Sequence, residues 1–134
     1  MNAEKTIKIC GKDVQLRYCL ASETGFEALA SGKDANIFNP IPTGKTDEDG
    51  NPIFDKPKAT TDDLVRLGIA CMIAAYEQQK QDPPVTVDDI LYNAAPDEVA
   101  SLVATTVELR IKWYQIPSAI KPETNEKEDN GKNA

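Results

Sequence analysis

The 134-residue chain contains no histidine. That absence excludes Ser-His-Asp and Cys-His nucleophilic systems, imidazole metal ligands and a histidine pH switch. Excess positive charge is missing too, because 15 Lys and Arg stand against 22 Asp and Glu, for a net charge of −7. A nucleic-acid binder needs clustered cations to displace counterions from phosphates, so that class is disfavoured as well. Cysteine is scarce. Cys10, Cys19 and Cys71 are odd in number and show no C-x-x-C spacing, which argues against a disulfide framework or a zinc site and suits a reducing compartment. The longest apolar run, Leu67 to Tyr76, is about half of what a membrane span requires. The opening MNAEKTIKIC lacks the apolar stretch of a signal peptide. Together these absences predict a soluble intracellular protein that is not an enzyme and holds no cofactor or metal.

What is present reads as one globular unit over residues 1–116, since a chain of this length buries roughly two-thirds of its unfolded surface. Ile7 and Ile9 alternate with Thr6 and Lys8; Val14, Leu16 and Tyr18 alternate with Gln15, Arg17 and Cys19. The two runs predict a β-hairpin turning at Gly11-Lys12-Asp13. A lone hairpin is marginal in water, so helices must cover its apolar face. Ser22 is a candidate N-cap for a short helix carrying Phe26, Leu29 and Ala30, with Gly32 as its left-handed end.

Residues 33–60 hold Pro40, Pro42, Pro52 and Pro57 around the acidic turn Asp47-Glu48-Asp49-Gly50-Asn51. Proline this dense excludes a helix and a central strand. The segment reads as a long exposed loop, with a short hairpin closing on Asp49-Gly50. Three helices are expected after it. The first starts at Thr61-Asp62-Asp63 and is apolar on nearly every side to about Lys80, with small Gly68, Ala70, Ala74 and Ala75 between larger residues, as suits a central helix. Pro83-Pro84 stops it. Thr86 to Asp89 forms a capping box for a short helix bearing Ile90 and Leu91. Pro96, Asp97 and Glu98 open the last helix, whose predicted buried stripe is Val99, Leu102, Val103, Thr106, Val107 and Arg110. The tail at 117–134 has one large apolar residue, Ile120, and is predicted to be disordered. The fold class is therefore α+β, mainly α: an N-terminal hairpin on a bundle of about four helices.

Motifs that could carry chemistry fail on spacing. Gly44-Lys45-Thr46 matches the end of a phosphate-binding loop, but the position needing the first glycine is Asn39. Aligning Gly50 with the sixth position of a calcium loop puts Lys45 and Lys56 where carboxylates must bind. The acid pairs Asp62-Asp63, Asp88-Asp89 and Asp97-Glu98 each fall in the first turn of a predicted helix, where capping accounts for them. No catalytic residue is assigned. Trp113, Tyr114 and Ile116 cluster at the end of the last helix, and are either core or an anchor for a partner. Residues 61–116 hold 4 basic against 9 acidic residues, so any charge steering is expected to come from a basic partner.

The order of elements resembles the tail assembly chaperones of long-tailed bacteriophages and prophages. The segments that carry the resemblance are KTIKICGKDVQLRYCLAS, TGFEALASGKDANIF, TTDDLVRLGIACMIAAYE and VTVDDILYNAAPDEVASLVATTVELRIKW. Within them lie the I-x-G-K turn at Ile9 to Lys12, the Phe26-Glu27 pair and the T-x-D-D helix start at Thr86 to Asp89. The resemblance implies a non-enzymatic role in the host bacterial cytoplasm. Such chaperones coat the helical tape-measure protein while the tail tube assembles, and a longer form made by ribosomal frameshifting recruits tail-tube subunits. Self-association is a further interaction to consider. The competing reading is a structural tail component or a small adaptor.

Overall fold

The computed structural model describes residues 2–117; the tail predicted to be disordered lies, past Pro117, outside the described residues. The chain runs β1 (Ala3–Ile9), β2 (Lys12–Tyr18), α1 (Leu20–Leu29), β3 (Ile41–Thr46), β4 (Pro52–Asp55), α2 (Thr61–Gln78), α3 (Val87–Asn93) and α4 (Pro96–Tyr114). This is an α+β fold, mainly helical.

β1 and β2 pair antiparallel, with Ala3 opposite Tyr18 and Ile9 opposite Lys12. The reversal therefore sits on Cys10-Gly11, one position ahead of the predicted turn. Both residues have positive φ, 52° and 74°, as the two-residue turn matching strand twist requires. Glycine meets that demand freely and Cys10 does so under strain. Ile7, Ile9, Val14, Leu16 and Tyr18 are buried, as their alternation predicts. α2 and α4 cover that face. α2 also closes part of the outer edge of β2, where the Gln15 N–H donates to the Tyr76 hydroxyl at 3.0 Å.

α1 begins earlier than predicted, with Cys19 as its cap residue. Ser22 sits three positions inside, accepts from the Cys19 N–H at 3.1 Å and donates to the Arg17 carbonyl at 2.7 Å. At the other end Gly32 is left-handed as expected, with φ 86°, Ser31 before it is too, with φ 57°, and the Gly32 N–H closes the end on the Glu27 carbonyl at 2.8 Å. α2 ends the same way at left-handed Lys80, before Pro83 is reached, with Gln81 N–H donating to the Tyr76 carbonyl at 3.0 Å.

The Pro-rich segment is more ordered than a loop. A 3-10 turn over Ala35–Phe38 buries both end residues, and Phe38 meets Phe26 edge-on with ring centroids 4.8 Å apart. Then β3 and β4 form an antiparallel hairpin about the expected acidic turn. There the Asp47 carboxylate accepts from the Asp49 and Asn51 N–H groups, each at 2.9 Å.

α2 is the central element. Leu67, Ile69, Ala70, Cys71, Met72 and Ala75 are all buried on it, packed between α1, the first hairpin and α4. It approaches α4 tightly at Gly68. A Cβ built on Gly68 would lie 2.7 Å from both Leu102 Cδ1 and Thr106 Oγ1, nearer than carbon atoms tolerate. α4 is rotated from the predicted stripe by about one residue. The fully buried line is Leu102, Thr105, Thr106 and Leu109, while Val107 is 40% exposed. Thr106 tolerates this position because its hydroxyl donates to the Leu102 carbonyl at 2.7 Å, leaving no buried donor unpaired.

Gly68→Ala tests the close approach. Overpacking a tight core site costs about 1–3 kcal/mol, so the urea midpoint falls by the corresponding amount. An unchanged midpoint would mean that α2 and α4 lie farther apart than described.

Candidate functional site

Each acid pair singled out in the sequence stands at a helix N-terminus. Asp63 accepts from the Thr60 N–H at 2.9 Å and its own N–H donates to Thr60 Oγ1 at 3.2 Å. Asp89 and Thr86 repeat the exchange at 2.9 and 3.0 Å. Glu98 accepts from the Ala95 N–H at 3.0 Å and from the Gly11 N–H at 3.2 Å, tying α4 to the first hairpin turn. Asp63 is the one buried member, and Lys33 reaches it at 2.9 Å. Burial pushes its carboxyl up, but the bonds from Thr60 and Lys33 outweigh that and hold it below the usual carboxylate range. One acid of each pair, Asp63, Asp89 or Glu98, thus caps its helix. Gly44-Lys45-Thr46 lies on the exposed second hairpin.

The thiols are also spoken for. All three are free, and burial pushes Cys71 up to about 12, so it is a neutral core residue. Cys10 is raised by desolvation and then by Glu98 and Asp89, which opposes a thiolate nucleophile there. Among the described residues no group of three or more His, Cys, Asp or Glu side chains could hold a metal ion, and no helix is long and apolar enough to cross a membrane.

The aromatic cluster divides. Trp113 is half-buried against the core, its ring 5.4 Å from Tyr18 and 4.9 Å from Tyr114. Tyr114 is 58% exposed. Ile116, half-buried, lies in the turn after α4 with its N–H on the Trp113 carbonyl at 3.2 Å. Beneath them sits a polar network that the sequence did not reveal. The Tyr18 and Tyr114 hydroxyls both donate to Glu23 Oε2, at 2.8 and 2.9 Å. Arg110 donates through Nε to the Tyr18 oxygen at 3.2 Å and through Nη2 to Asn39 at 2.8 Å, with its guanidinium 4.7 Å from the centre of the Tyr114 ring. Burial, then the Glu23 bond, raises the Tyr18 phenol above its ordinary value. The network clamps α4 to β2, α1 and the chain after the 3-10 turn.

Beside this clamp lies an apolar groove of about 430 Å³. Leu64, Leu67 and Phe38 line its inner side; Pro40, Pro57 and Ala59 come from the two stems of the second hairpin; Val107 and Ile111 come from α4. Val107 is 40% and Ile111 56% exposed, one helical turn apart on the same side of α4. The volume lies within the range of about 300–1,000 Å³ typical of ligand sites. The groove is lined one turn before the Trp113 cluster, by Val107, Arg110 and Ile111 rather than by Trp113, Tyr114 or Ile116. Sequence reasoning missed it because Val107 was assigned to the core stripe and the prolines to an exposed loop. The signal available was the Pro40 and Pro57 pair bracketing a hairpin. Among its lining residues only Lys56 and Arg110 are charged, and the rest are apolar.

No family model matches the chain, and no curated protein or solved structure is similar to it at a significant level.

Two predictions follow from this geometry. A carboxyl whose folded value is depressed contributes stability that is complete above its unfolded value, about 3.9 for Asp, and is lost as pH falls through the folded value. For Asp63 this sets the window on the acid side, so the urea midpoint holds from about pH 7 to 5 and drops below about pH 4. Asp63→Asn lowers the midpoint at neutral pH and shrinks the acid loss; an identical acid profile would contradict the assignment. Second, Trp113→Ala costs about 3 kcal/mol, the low end for a large aromatic because the ring is half-buried. Ile111→Ser changes stability by no more than about 0.5 kcal/mol. Equal losses measured by chemical denaturation would place Ile111 in the core.

Proposed function

We propose that the protein is a non-enzymatic chaperone that holds an amphipathic helix of another protein in the groove between α4 and the stems of the second hairpin. The observation that carries this reading is the exposed Val107 and Ile111 pair on the rim of an apolar groove. Apolar residues spaced one helical turn apart pack well against a helix that presents its own i, i+3, i+4 and i+7 anchors. Burying such a rim contributes about 25 cal/mol per Å² of apolar area. The resemblance in element order narrows the partner to the tape-measure protein of a phage tail, kept soluble until the tail tube closes around it. In the same reading, the longer frameshifted form recruits tail-tube subunits. Trp113 and Tyr114 then serve the site by fixing the last turns of α4.

Co-expression with the large coiled-coil protein encoded nearby tests the proposal. The expected outcome is a rise in that protein's soluble fraction and its retention on the tagged chain. Val107→Asp abolishes both while leaving the thermal midpoint within a few degrees. No change in solubility on co-expression would contradict the reading.

A further inference from the structure

The groove's charge is opposite to that of the protein. The chain carries −7 overall, yet no acidic residue lines the groove, and its two charged lining residues, Lys56 and Arg110, are both cations. Three of the acids near the lining residues in sequence are paired with other cations, and Asp55, next to Lys56, has no ion pair among the described residues. Glu108, next to Val107, pairs with Lys5 at 3.2 Å; Asp62 pairs with Arg66 at 3.0 Å; Asp63 pairs with Lys33 at 2.9 Å. Asp55 precedes Lys56 at the end of β4 and does not line the groove. Glu23 faces Arg110 at 3.8 Å and is shared with two tyrosine hydroxyls, so it offsets part of the Arg110 charge from behind. Lys56 has no ion pair among the described residues. Lys58 lines the adjoining hollow beside Ile37 and Ile41 and likewise has none. Lys56 thus lines the groove from the hairpin side, across from Val107 and Ile111 of α4, with Lys58 two residues further along the chain.

We propose that the occupant of this groove is an amphipathic helix whose apolar strip is flanked by Asp or Glu. The inference rests on the groove being the partner site, and it differs from the expectation of a basic partner, which follows from summed charge over residues 61–116. Charges near a contact act within a Debye length of about 8–10 Å, so the cations bordering the groove govern register and partner choice more than the distant acids do. A lysine-flanked helix would meet Lys56 and Lys58 as like charges, which is how an interface rejects a wrong partner.

The test titrates the full chain with two labelled helical peptides of identical leucine strip, one flanked by Glu and one by Lys, followed by fluorescence anisotropy. The Glu peptide is expected to bind about tenfold tighter at about 50 mM salt, with the ratio shrinking at about 300 mM as screening grows. Lys56→Glu reverses the preference, and Val107→Asp removes binding of both peptides. Equal binding, or tighter binding of the Lys peptide, overturns the charge assignment while the groove reading stands. If neither peptide binds and Val107→Asp leaves co-expression unaffected, both readings fail. Sedimentation showing a dimer that Val107→Asp dissolves would make a second copy the occupant and overturn the proposal. Ile120→Ser should leave peptide affinity unchanged; a gain of more than about tenfold would make the chain's own C-terminal segment the occupant and overturn it too.

Discussion

The rest of the structure depends on how closely α2 passes α4 at Gly68. A side chain there would collide with Leu102 and Thr106. With the two helices this near, Thr106 is pinned against α2 and Leu109 is driven into the core. That contact fixes the rotation of α4 about its own axis. Val107 follows Thr106 by about 100° around the helix and so faces away from α2's core side, and Ile111 falls one turn above it. The same contact that closes the core therefore turns an apolar pair outward. Close packing permits no gradual compromise between the two, because interiors at crystal-like density resist small rotations.

Polar groups finish what packing begins. Arg110 emerges where α4 leaves α2 and is held by Tyr18, Asn39 and the rings of Phe38 and Tyr114. Glu23 completes the set by accepting from two tyrosines. An unpaired charge at this depth would cost several kcal/mol, so the network acts as an all-or-none clamp on the end of α4. The capping acids secure the opposite ends of α2, α3 and α4. Their Thr60, Thr86 and Ala95 partners leave these carboxylates no free role.

The elements legible in the sequence were those with a local cause. The alternation of Val14, Leu16 and Tyr18, the T-x-x-D box at Thr86 and Pro96 at the start of α4 each act over a few residues, whereas the cap expected at Thr61 lies one residue earlier, at Thr60. α+β, mainly helical, followed from them. What escaped was set by distant contacts. Thr105 and Thr106 interrupt the apolar pattern and are both buried; Thr106 fits because Gly68 makes room and its hydroxyl bonds back to its own helix. The hairpin turn moved because Cys10 accepts a left-handed conformation that propensity assigns to glycine. Phe38 was read as loop because nothing nearby in sequence predicts its partner Phe26. The groove combines two of these departures with a third. It needs the rotation of α4, the burial of Phe38 and the return of the chain to Pro57, so no single segment announces it. The summed charge over residues 61–116 counts Glu108, Asp62 and Asp63, which pair with Lys5, Arg66 and Lys33 and do not line the groove.

An acidic chain thus presents a locally cationic, apolar groove whose walls are set by a glycine contact in the core. Methyl-resolved NMR of the full chain on addition of a helical partner tests that account most directly. The predicted result is perturbation concentrated on the methyls of Val107, Ile111, Leu64 and Ala59, with the exposed Leu91 of α3 unchanged. Perturbations centred on Leu91 or on Leu20, with Val107 and Ile111 silent, would contradict it.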